Sequence, residues 1–224
     1  MAKNNQQPTQ GEQVATTVSS VEAFFKKNEK VIEWAIIAII VVVCGILAYN
    51  RWYLTPAKAE AQGQMFPAEQ KFMAGEFETA LNGDGNILGF TQIAEQYGNK
   101  AGKSVWLYSG ICNLNLGNNE AAIECLKKYK SSDKVMMGRA LCCIGDAYAN
   151  LDNKAEALNY FKKAAAVEDN LYAAAYLLKA GIISEEMGNN AEALKFYQQI
   201  KDNYPQSMEG YDIDKYISRI NAAE

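Results

Sequence analysis

The chain has 224 residues, and its 22 Lys and Arg against 26 Asp and Glu give a formal net charge of −4 at pH 7. Histidine is absent, so the chain lacks the commonest general base, the commonest metal ligand and any Ser-His or Cys-His pair. The mild acidity excludes the basic excess of a nucleic-acid-binding domain. The sequence also contains no phosphate-binding loop, so we expect no catalytic residues, no cofactor and no bound metal.

The first 20 residues, MAKNNQQPTQGEQVATTVSS, are rich in Asn, Gln, Thr and Ser and have no apolar period. Such a composition buries too little apolar surface to fold, so residues 1–20 are predicted to form a disordered tail in the cytoplasm. Ser19 or Ser20 is then expected to cap a short juxtamembrane helix, with Glu22 in its first turn.

An apolar run, WAIIAIIVVVCGILAY, extends from Trp34 to Tyr49 without a charged residue or a proline. Its 16 residues would cover about 24 Å as a helix, which is less than the roughly 30 Å of a bilayer core. With its flanks, from Val31 to Leu54, the segment reaches 24 residues or about 36 Å, which is enough to span with some tilt. Residues 21–55 are therefore predicted to form a juxtamembrane and transmembrane helix.

Three other interpretations of this run stay open. A buried helix of a soluble core would usually carry a polar stripe, whereas this run is apolar all round. A cleaved signal peptide would have a shorter charged start, although Ala57-Lys58-Ala59 does offer a small-x-small pattern. A lipoprotein signal would place its cysteine at the end of the run, whereas Cys44 lies in the middle.

Basic residues near the two ends of the span indicate its orientation. The N-terminal flank carries Lys26, Lys27 and Lys30, and the C-terminal flank carries Arg51 and Lys58. The more basic flank tends to stay in the cytoplasm, so this pattern favours a cytoplasmic N-terminus. Everything after the span is then predicted to lie outside the cytoplasm.

Residues 56–100 are predicted to form a helical hairpin. Its first helix, over residues 57–81, has four apolar residues at helical spacing: Phe66, Met73, Phe77 and Ala80. A proline, Pro67, is expected to kink or restart this helix. The sequence NGDGN then predicts a turn, and the second helix is predicted from Ile87 to Tyr97.

From residue 101 onward the sequence repeats itself three times. The aligned segments are WLYSGICNLNLGNNEAAIECLKKY, LCCIGDAYANLDNKAEALNYFKKA and LLKAGIISEEMGNNAEALKFYQQI, and corresponding residues are 35 and 36 positions apart. Each unit has a glycine on its first helix, an alanine on its second, and a large apolar residue four positions after that alanine. The two small residues are expected to let the helices approach closely while the large residue fills the layer between them. One hairpin cannot bury its apolar face alone, so the three are predicted to stack.

These units resemble the tetratricopeptide repeat, and eleven matching residues are predicted to pack the helices together. They are Trp106, Gly110, Ala122, Gly145, Tyr148, Ala157, Phe161, Gly181, Ala193, Tyr197 and Pro205. The units depart from the usual pattern at Asn113 and Ser184, which stand where tyrosine is common, and at Asp152, which replaces a turn glycine.

Together with the apolar run, the resemblance predicts an all-α fold, in which a single N-terminal transmembrane helix precedes a tetratricopeptide-repeat α-solenoid. Three repeats would occupy residues 101–208, and residues 209–224 would form the C-terminal capping helix that such arrays require. The hairpin at residues 56–100 looks like a degenerate repeat in front of them.

First helices of stacked repeats line a concave surface that binds peptides or helices. By repeat position, the lining is predicted to contain Ser104, Leu107, Ile111, Leu114, Arg139, Cys142, Asp146, Leu178, Ile182 and Glu185. The Lys/Asn/Arg clamp that some repeat proteins use for an acidic C-terminal carboxylate is missing, because Leu107, Ile111 and Asp146 occupy its Lys and Asn positions. This largely apolar lining favours unfolded segments or an amphipathic helix, unless the chain's own helices cover part of it.

The order of tail, span and repeat domain is similar to that of the ancillary subunit family of the bacterial SecYEG translocon. The stretches GDGNILGFTQIAEQYGN, GICNLNLGNNEAAIECLKKY and GYDIDKYISRI resemble the Bacteroidota members. This resemblance implies an inner-membrane anchor, a periplasmic repeat domain, and partners among translocon subunits, membrane-anchored chaperones and unfolded clients. The alternative is a purely structural membrane tether, or an assembly factor for another envelope complex.

The five cysteines include no CxxC pair. Cys44 lies in the span, and four others lie in the helical region: Cys112, Cys125, Cys142 and Cys143. As small apolar residues on helices they are predicted to be free, buried thiols, with a disulfide among the four as the alternative.

Overall fold

The computed structural model describes residues 26–167 and 169–222, and this part of the chain is helical and contains no β-strand. The predicted tail, residues 1–20, and the first five residues of the predicted juxtamembrane helix lie outside the described residues. Two compact units make up the chain, Met1–Pro56 and Ala57–Glu224. The predicted all-α class is confirmed.

The first unit contains one long apolar helix. Helix α1 runs Glu29–Tyr49 and contains no buried residue. A π-helical turn, Asn50–Leu54, follows it, and there the Tyr49 and Tyr53 rings lie 5.2 Å apart. By length and composition, this stretch is able to cross a membrane.

Three helices follow: α2 (Thr55–Met73), α3 (Phe77–Asn82) and α4 (Phe90–Tyr97). All of their residues except the first two of α2 belong to the second unit. A single helix over residues 57–81 was the expectation, and it is wrong, because the chain turns at Gly75 with φ 78°. Within α2, Phe66 and Met73 are exposed, whereas Met65 and Ala68 are buried, so the buried face of this helix also differs from the predicted one. Pro67 lies inside α2 without ending it.

The start of α4 also differs from the expectation, which placed it at Ile87. The Asp84 carboxylate accepts hydrogen bonds from the backbone N–H groups of Asn86 and Ile87, at 2.9 and 3.1 Å, and this closes a turn before the helix. The Gly89 N–H donates to the Gln92 side chain at 3.1 Å, so the helix begins only at the next residue. A 3₁₀ turn, Gly98–Ala101, then follows α4.

Three helix hairpins and a final helix complete the second unit. The hairpins are α5 (Ser104–Asn115) with α6 (Asn119–Lys128), α7 (Lys134–Asn150) with α8 (Lys154–Ala166), and α9 (Leu171–Glu186) with α10 (Asn190–Asn203), and the final helix is α11 (Met208–Asn221). The two helices of each hairpin pack together, and each second helix packs against the helix that follows it. The hairpins therefore stack one after another, as in a solenoid.

Equivalent turns join the helices of each hairpin. Gly117 and Gly188 adopt left-handed backbone conformations, with φ 80° and 75°, and Asp152 takes the same place in the second hairpin with φ 56°. Aspartate enters this region at lower cost than most side chains, which explains why it can replace the glycine there. Asn153 and Asn189 then cap the N-termini of the second helices α8 and α10, because their side chains accept hydrogen bonds from backbone N–H groups of the first turn.

The small and large residues of the repeat pattern meet inside each hairpin. A methyl group on Gly145 would lie 2.6 Å from Cε1 of Phe161, and even less room exists between Gly110 and Leu126 and between Gly181 and Tyr197. The alanines of the pattern are fully buried: Ala122, Ala157 and Ala193. Each glycine therefore leaves the space that the large side chain of the second helix fills.

Candidate protein-binding surface

We use the term first-helix face for the surface formed by α5, α7 and α9, which carry all ten residues of the predicted concave lining. Leu107, Ile111 and Cys142 are buried, at 6%, 8% and 7% exposure, while Arg139 is exposed. The other six are half-buried: Ser104, Leu114, Asp146, Leu178, Ile182 and Glu185. The structure therefore makes this face less open than the sequence suggested, for reasons that differ along its length.

At one end, helix α2 of the same unit lies over α5. The Phe72 ring lies 5.0 Å from the Tyr108 ring, and Phe72 also packs against the cluster that contains Leu107 and Ile111. A pocket of about 250 Å³ remains between α2, α5 and α7. Its lining is Glu69, Phe72, Met73, Leu107, Tyr108, Ile111, Met136 and Arg139. Three residues of the predicted lining, Leu107, Ile111 and Arg139, therefore line one pocket. The wall contributed by α2 was not predicted from the repeat pattern.

In the middle, an ion pair connects α7 and α9. Lys179 Nζ lies 2.5 and 2.7 Å from the two carboxylate oxygens of Asp146, and it also lies over the Phe161 ring at 5.6 Å. The Cys142 thiol lies beside this pair, 4.0 Å from an Asp146 oxygen. Burial raises the pKa of Cys142 to about 12, so the thiol is neutral at physiological pH. The polar groups at the centre of the face therefore bind one another.

At the other end, helix α11 contacts two residues of the predicted lining. Arg219 donates to both oxygens of Glu185 at 2.8 Å, and the Tyr197 hydroxyl donates to one of them at 2.6 Å. Leu178 packs against the cluster that contains Ile213 of α11. Sequence reasoning missed Arg219, since the position of a capping helix on the last repeat does not follow from the repeat pattern.

The remaining residues of the predicted packing set lie along the stack. Trp106 is half-buried and packs both against the cluster that contains Phe90 and against the one that contains Leu107. Lys128 Nζ lies 4.6 Å from its ring centre. Tyr148 is half-buried, and its ring lies 5.5 Å from the Tyr160 ring. Pro205 is exposed in the turn before α11. The five cysteines of the described part are free thiols. Of the four that were predicted to be buried, Cys112 and Cys142 are, whereas Cys125 and Cys143 are only half-buried. Cys112 lies in the core cluster that also contains Phe90 and Ile93 of α4.

Residues 138–170 and 175–207 match the tetratricopeptide repeat family. These two stretches cover the second and third hairpins. The chain thus contains tetratricopeptide repeats, as the sequence pattern predicted. The first hairpin lies outside both matches, although its Gly110 faces Leu126 in the same way.

Two solved structures share the fold of this chain. A crystal structure of MamA is 23% identical in sequence, with a TM-score of 0.53, and the match covers 65% of this chain and 79% of MamA. A second crystal structure of MamA protein is 20% identical, with a TM-score of 0.57, and the match covers 74% of this chain and 83% of that one. No curated protein matches the sequence of this chain.

Proposed function

We propose that this protein is a membrane-anchored scaffold whose tetratricopeptide repeats bind segments of other proteins on the first-helix face. The observation that carries the proposal is that one chain combines a 21-residue apolar helix without a buried residue and a stack of repeat hairpins. Stacked hairpins of this type are interaction modules, and their inner helices supply the binding surface. Binding suits this face better than catalysis, because Asp146 and Glu185, the carboxylates of the predicted lining, are held in ion pairs with Lys179 and Arg219.

Helix α1 supplies the anchor. Large apolar side chains point outward on all its sides, among them Trp34, Ile39 and Ile46 at 62–72% exposure. Apolar surface of this extent is unfavourable in water and favourable in a bilayer core. We propose a single uncleaved span, with Lys26, Lys27 and Lys30 in the cytoplasm and the repeats on the other side of the membrane.

The finer assignment concerns the compartment and the partner. We propose that the repeats lie in the periplasm, on the outer face of the bacterial inner membrane, and assist the Sec translocon or periplasmic chaperones. The support for this assignment is the resemblance of the tail, span and repeat order to the ancillary translocon subunits. Unfolded clients would then meet the first-helix face as they emerge.

One observation favours a second candidate function. The chain's own helices α2 and α11 contact both ends of the first-helix face, which reduces the surface left for a client. A purely structural tether, or an assembly factor for another envelope complex, would need no such surface.

Site-specific photo-crosslinking in native membranes tests the proposal. A photoreactive amino acid is placed at Arg139, which is exposed on α7, and at Lys195, which is exposed on α10, as the matched second-helix control. We expect a protein adduct at position 139 and not at 195, with a translocon subunit, a membrane-anchored chaperone or an exported client identified by mass spectrometry. Equal adducts at both positions would overturn binding on the first-helix face. An adduct with a protein unrelated to export would overturn the translocon assignment alone.

A further inference from the structure

We propose that the pocket between α2, α5 and α7 is an anchor site for one aliphatic side chain of an extended partner segment, with a basic and an acidic residue on opposite sides of that side chain. Glu69 would bind the basic residue and Arg139 the acidic one. This inference rests on the proposed function, since it names the chemistry of the segment that the first-helix face would bind.

The size and lining of the pocket favour a side chain over a free small molecule. Its volume of about 250 Å³ lies below the roughly 300–1,000 Å³ of drug-sized ligand sites. Buried Leu107 and Ile111 contribute to its apolar lining, together with the half-buried ring of Phe72. One leucine- or methionine-sized side chain would find apolar contacts on several sides there.

Two methionines also line the pocket. Met73 is 77% exposed and Met136 is 38% exposed, and they come from α2 and α7. Methionine side chains are unbranched and polarizable, so they adapt to aliphatic groups of different shape. We therefore expect the pocket to accept leucine, isoleucine and methionine with little discrimination.

Two opposite charges line the same pocket from different helices. Within residues 26–167 and 169–222, Glu69 of α2 and Arg139 of α7 form neither an ion pair nor a side-chain hydrogen bond. By contrast, Asp146 and Glu185 on the same face are paired with Lys179 and Arg219. Glu69 and Arg139 are therefore charges of the pocket lining that remain available to a partner.

The electrostatics of the pocket support a partner segment that carries both a basic and an acidic residue. Glu69 is half-buried, and burial raises the pKa of its carboxyl, so a basic group opposite it would be favourable. Burial also raises the pKa of Tyr108, the Glu69 charge raises it further, and the Arg139 charge lowers it. Both charges therefore act at the same phenol of the lining. A partner segment with charges of one sign only would be attracted by one side and repelled by the other.

The rest of the face explains why the segment is extended. An amphipathic helix needs an apolar groove for residues at i, i+3, i+4 and i+7. The Asp146–Lys179 pair places charged groups in the middle of the face, and α11 contacts its far end. A short extended segment needs one anchor only, and its residues i−2 and i+2 point to the same side as residue i. The predicted pattern is therefore an acidic, an aliphatic and a basic residue at alternate positions.

The test uses the full-length protein in detergent micelles and two fluorescein-labelled peptides. One contains Glu-Ser-Leu-Ser-Lys in a Gly/Ser background, and the other contains Glu-Ser-Leu-Ser-Glu in the same background. Fluorescence anisotropy should show that the first peptide binds at least about tenfold more tightly than the second, since one glutamate of the second would face Glu69 whichever way the chain runs. Replacing the leucine by serine should abolish binding of both peptides.

A charge reversal makes the test specific for the pocket. The variant Glu69→Arg should invert the preference, because both charges of the lining are then basic, whereas Glu124→Arg on the second helix α6 should leave it unchanged. Circular dichroism checks that each variant keeps its helix content. If Glu69→Arg does not fold, Glu69→Gln is measured instead and should reduce the preference to less than about twofold, and Arg139→Gln should weaken the binding of both peptides.

Equal binding of the two peptides, or a preference that survives the charge changes, would overturn the inference. The proposed function fails by a different result. If position 139 crosslinks a partner in membranes while the peptides bind equally, the scaffold stands and only the pocket assignment is lost. If the two crosslinking positions give equal adducts, binding on the first-helix face is lost as well.

Discussion

Gly145 is a residue at which the packing of the second hairpin leaves no room for a side chain. A methyl group there would lie 2.6 Å from the buried Phe161 ring, so either the ring or the backbone must move. We expect Gly145→Ala to destabilise the protein by about 1–3 kcal/mol, which is the usual cost of overpacking a core. Thermal unfolding of the full-length protein in detergent, followed by circular dichroism, measures the change.

Gly63 supplies the matched control for this substitution. It lies inside α2, and a methyl group there would meet no atom within 4 Å. Because alanine is the better helix former, Gly63→Ala should stabilise the protein slightly, by up to about 1 kcal/mol. A melting temperature that responds in the same way to both substitutions would contradict the packing described for the second hairpin.

The buried thiol of Cys112 makes stability depend on alkaline pH. Burial raises its pKa from 9.0 to about 12, so the folded protein keeps the neutral thiol while the unfolded chain ionises it. A raised pKa means that the stabilisation is complete below pH 9 and is lost as the pH rises from 9 towards 12. We therefore expect the melting temperature to fall over that window.

A comparison of variants isolates the contribution of this thiol from the lysines and tyrosines that titrate at similar pH. Melting temperatures are measured at pH 8, 9, 10 and 11 for the parent, for Cys112→Ala and for Cys44→Ala. The slope between pH 9 and 11 should be shallower in Cys112→Ala than in the parent. It should be unchanged in Cys44→Ala, whose thiol lies on α1 outside the repeat core. Parallel slopes in all three proteins would contradict the thiol effect.

At the scale of helices, two ion pairs connect neighbouring helices of the stack, and their side chains differ in exposure to water. The Asp146–Lys179 pair joins α7 and α9, and its side chains are 30% and 41% exposed. The Lys201–Asp214 pair joins α10 and α11 at 2.7 Å, but its side chains are 48% and 71% exposed. Since exposed pairs are screened by solvent, the first pair should contribute more to stability than the second.

Double-mutant cycles with Asp→Asn and Lys→Met substitutions test this order. We expect a coupling energy of about 0.5–1 kcal/mol for Asp146–Lys179 and one within about 0.3 kcal/mol of zero for Lys201–Asp214. Chemical unfolding of the four proteins of each cycle gives the two energies. A larger coupling for the more exposed pair would show that exposure does not determine the strength of these contacts.

At the scale of the whole molecule, the proposed topology predicts a protease result. With the span uncleaved and the N-terminus in the cytoplasm, protease added to spheroplasts should digest the repeats and leave a protected fragment that contains Lys26 to Tyr49. The same protease added to inverted vesicles should remove only the N-terminal segment. Protected repeats in spheroplasts would reverse the orientation, and a mature chain that lacks α1 would indicate a signal peptide instead.

Local patterns in the sequence determined the all-α fold, the three hairpins and the apolar helix of this protein. The glycine, alanine and large apolar residue of each repeat recur after 35 and then 36 residues. The glycine and the large residue meet within one hairpin, so a short stretch of sequence is enough to predict their contact. The run from Trp34 to Tyr49 is apolar on every side, and this property of a helix needs no tertiary contact to be recognised.

The tertiary structure alone decided which part of the first-helix face is available. Phe72 meets Tyr108, and Glu185 meets Arg219, 34 residues away along the chain. These contacts involve α2 and α11, which lie outside the regular repeats, so no period in the sequence predicts which residues they cover. The pocket with Glu69 and Arg139 has the last turn of α2 as one wall, and α2 ends there because the chain turns at Gly75. Such a helix break depends on tertiary packing, which local propensity does not specify.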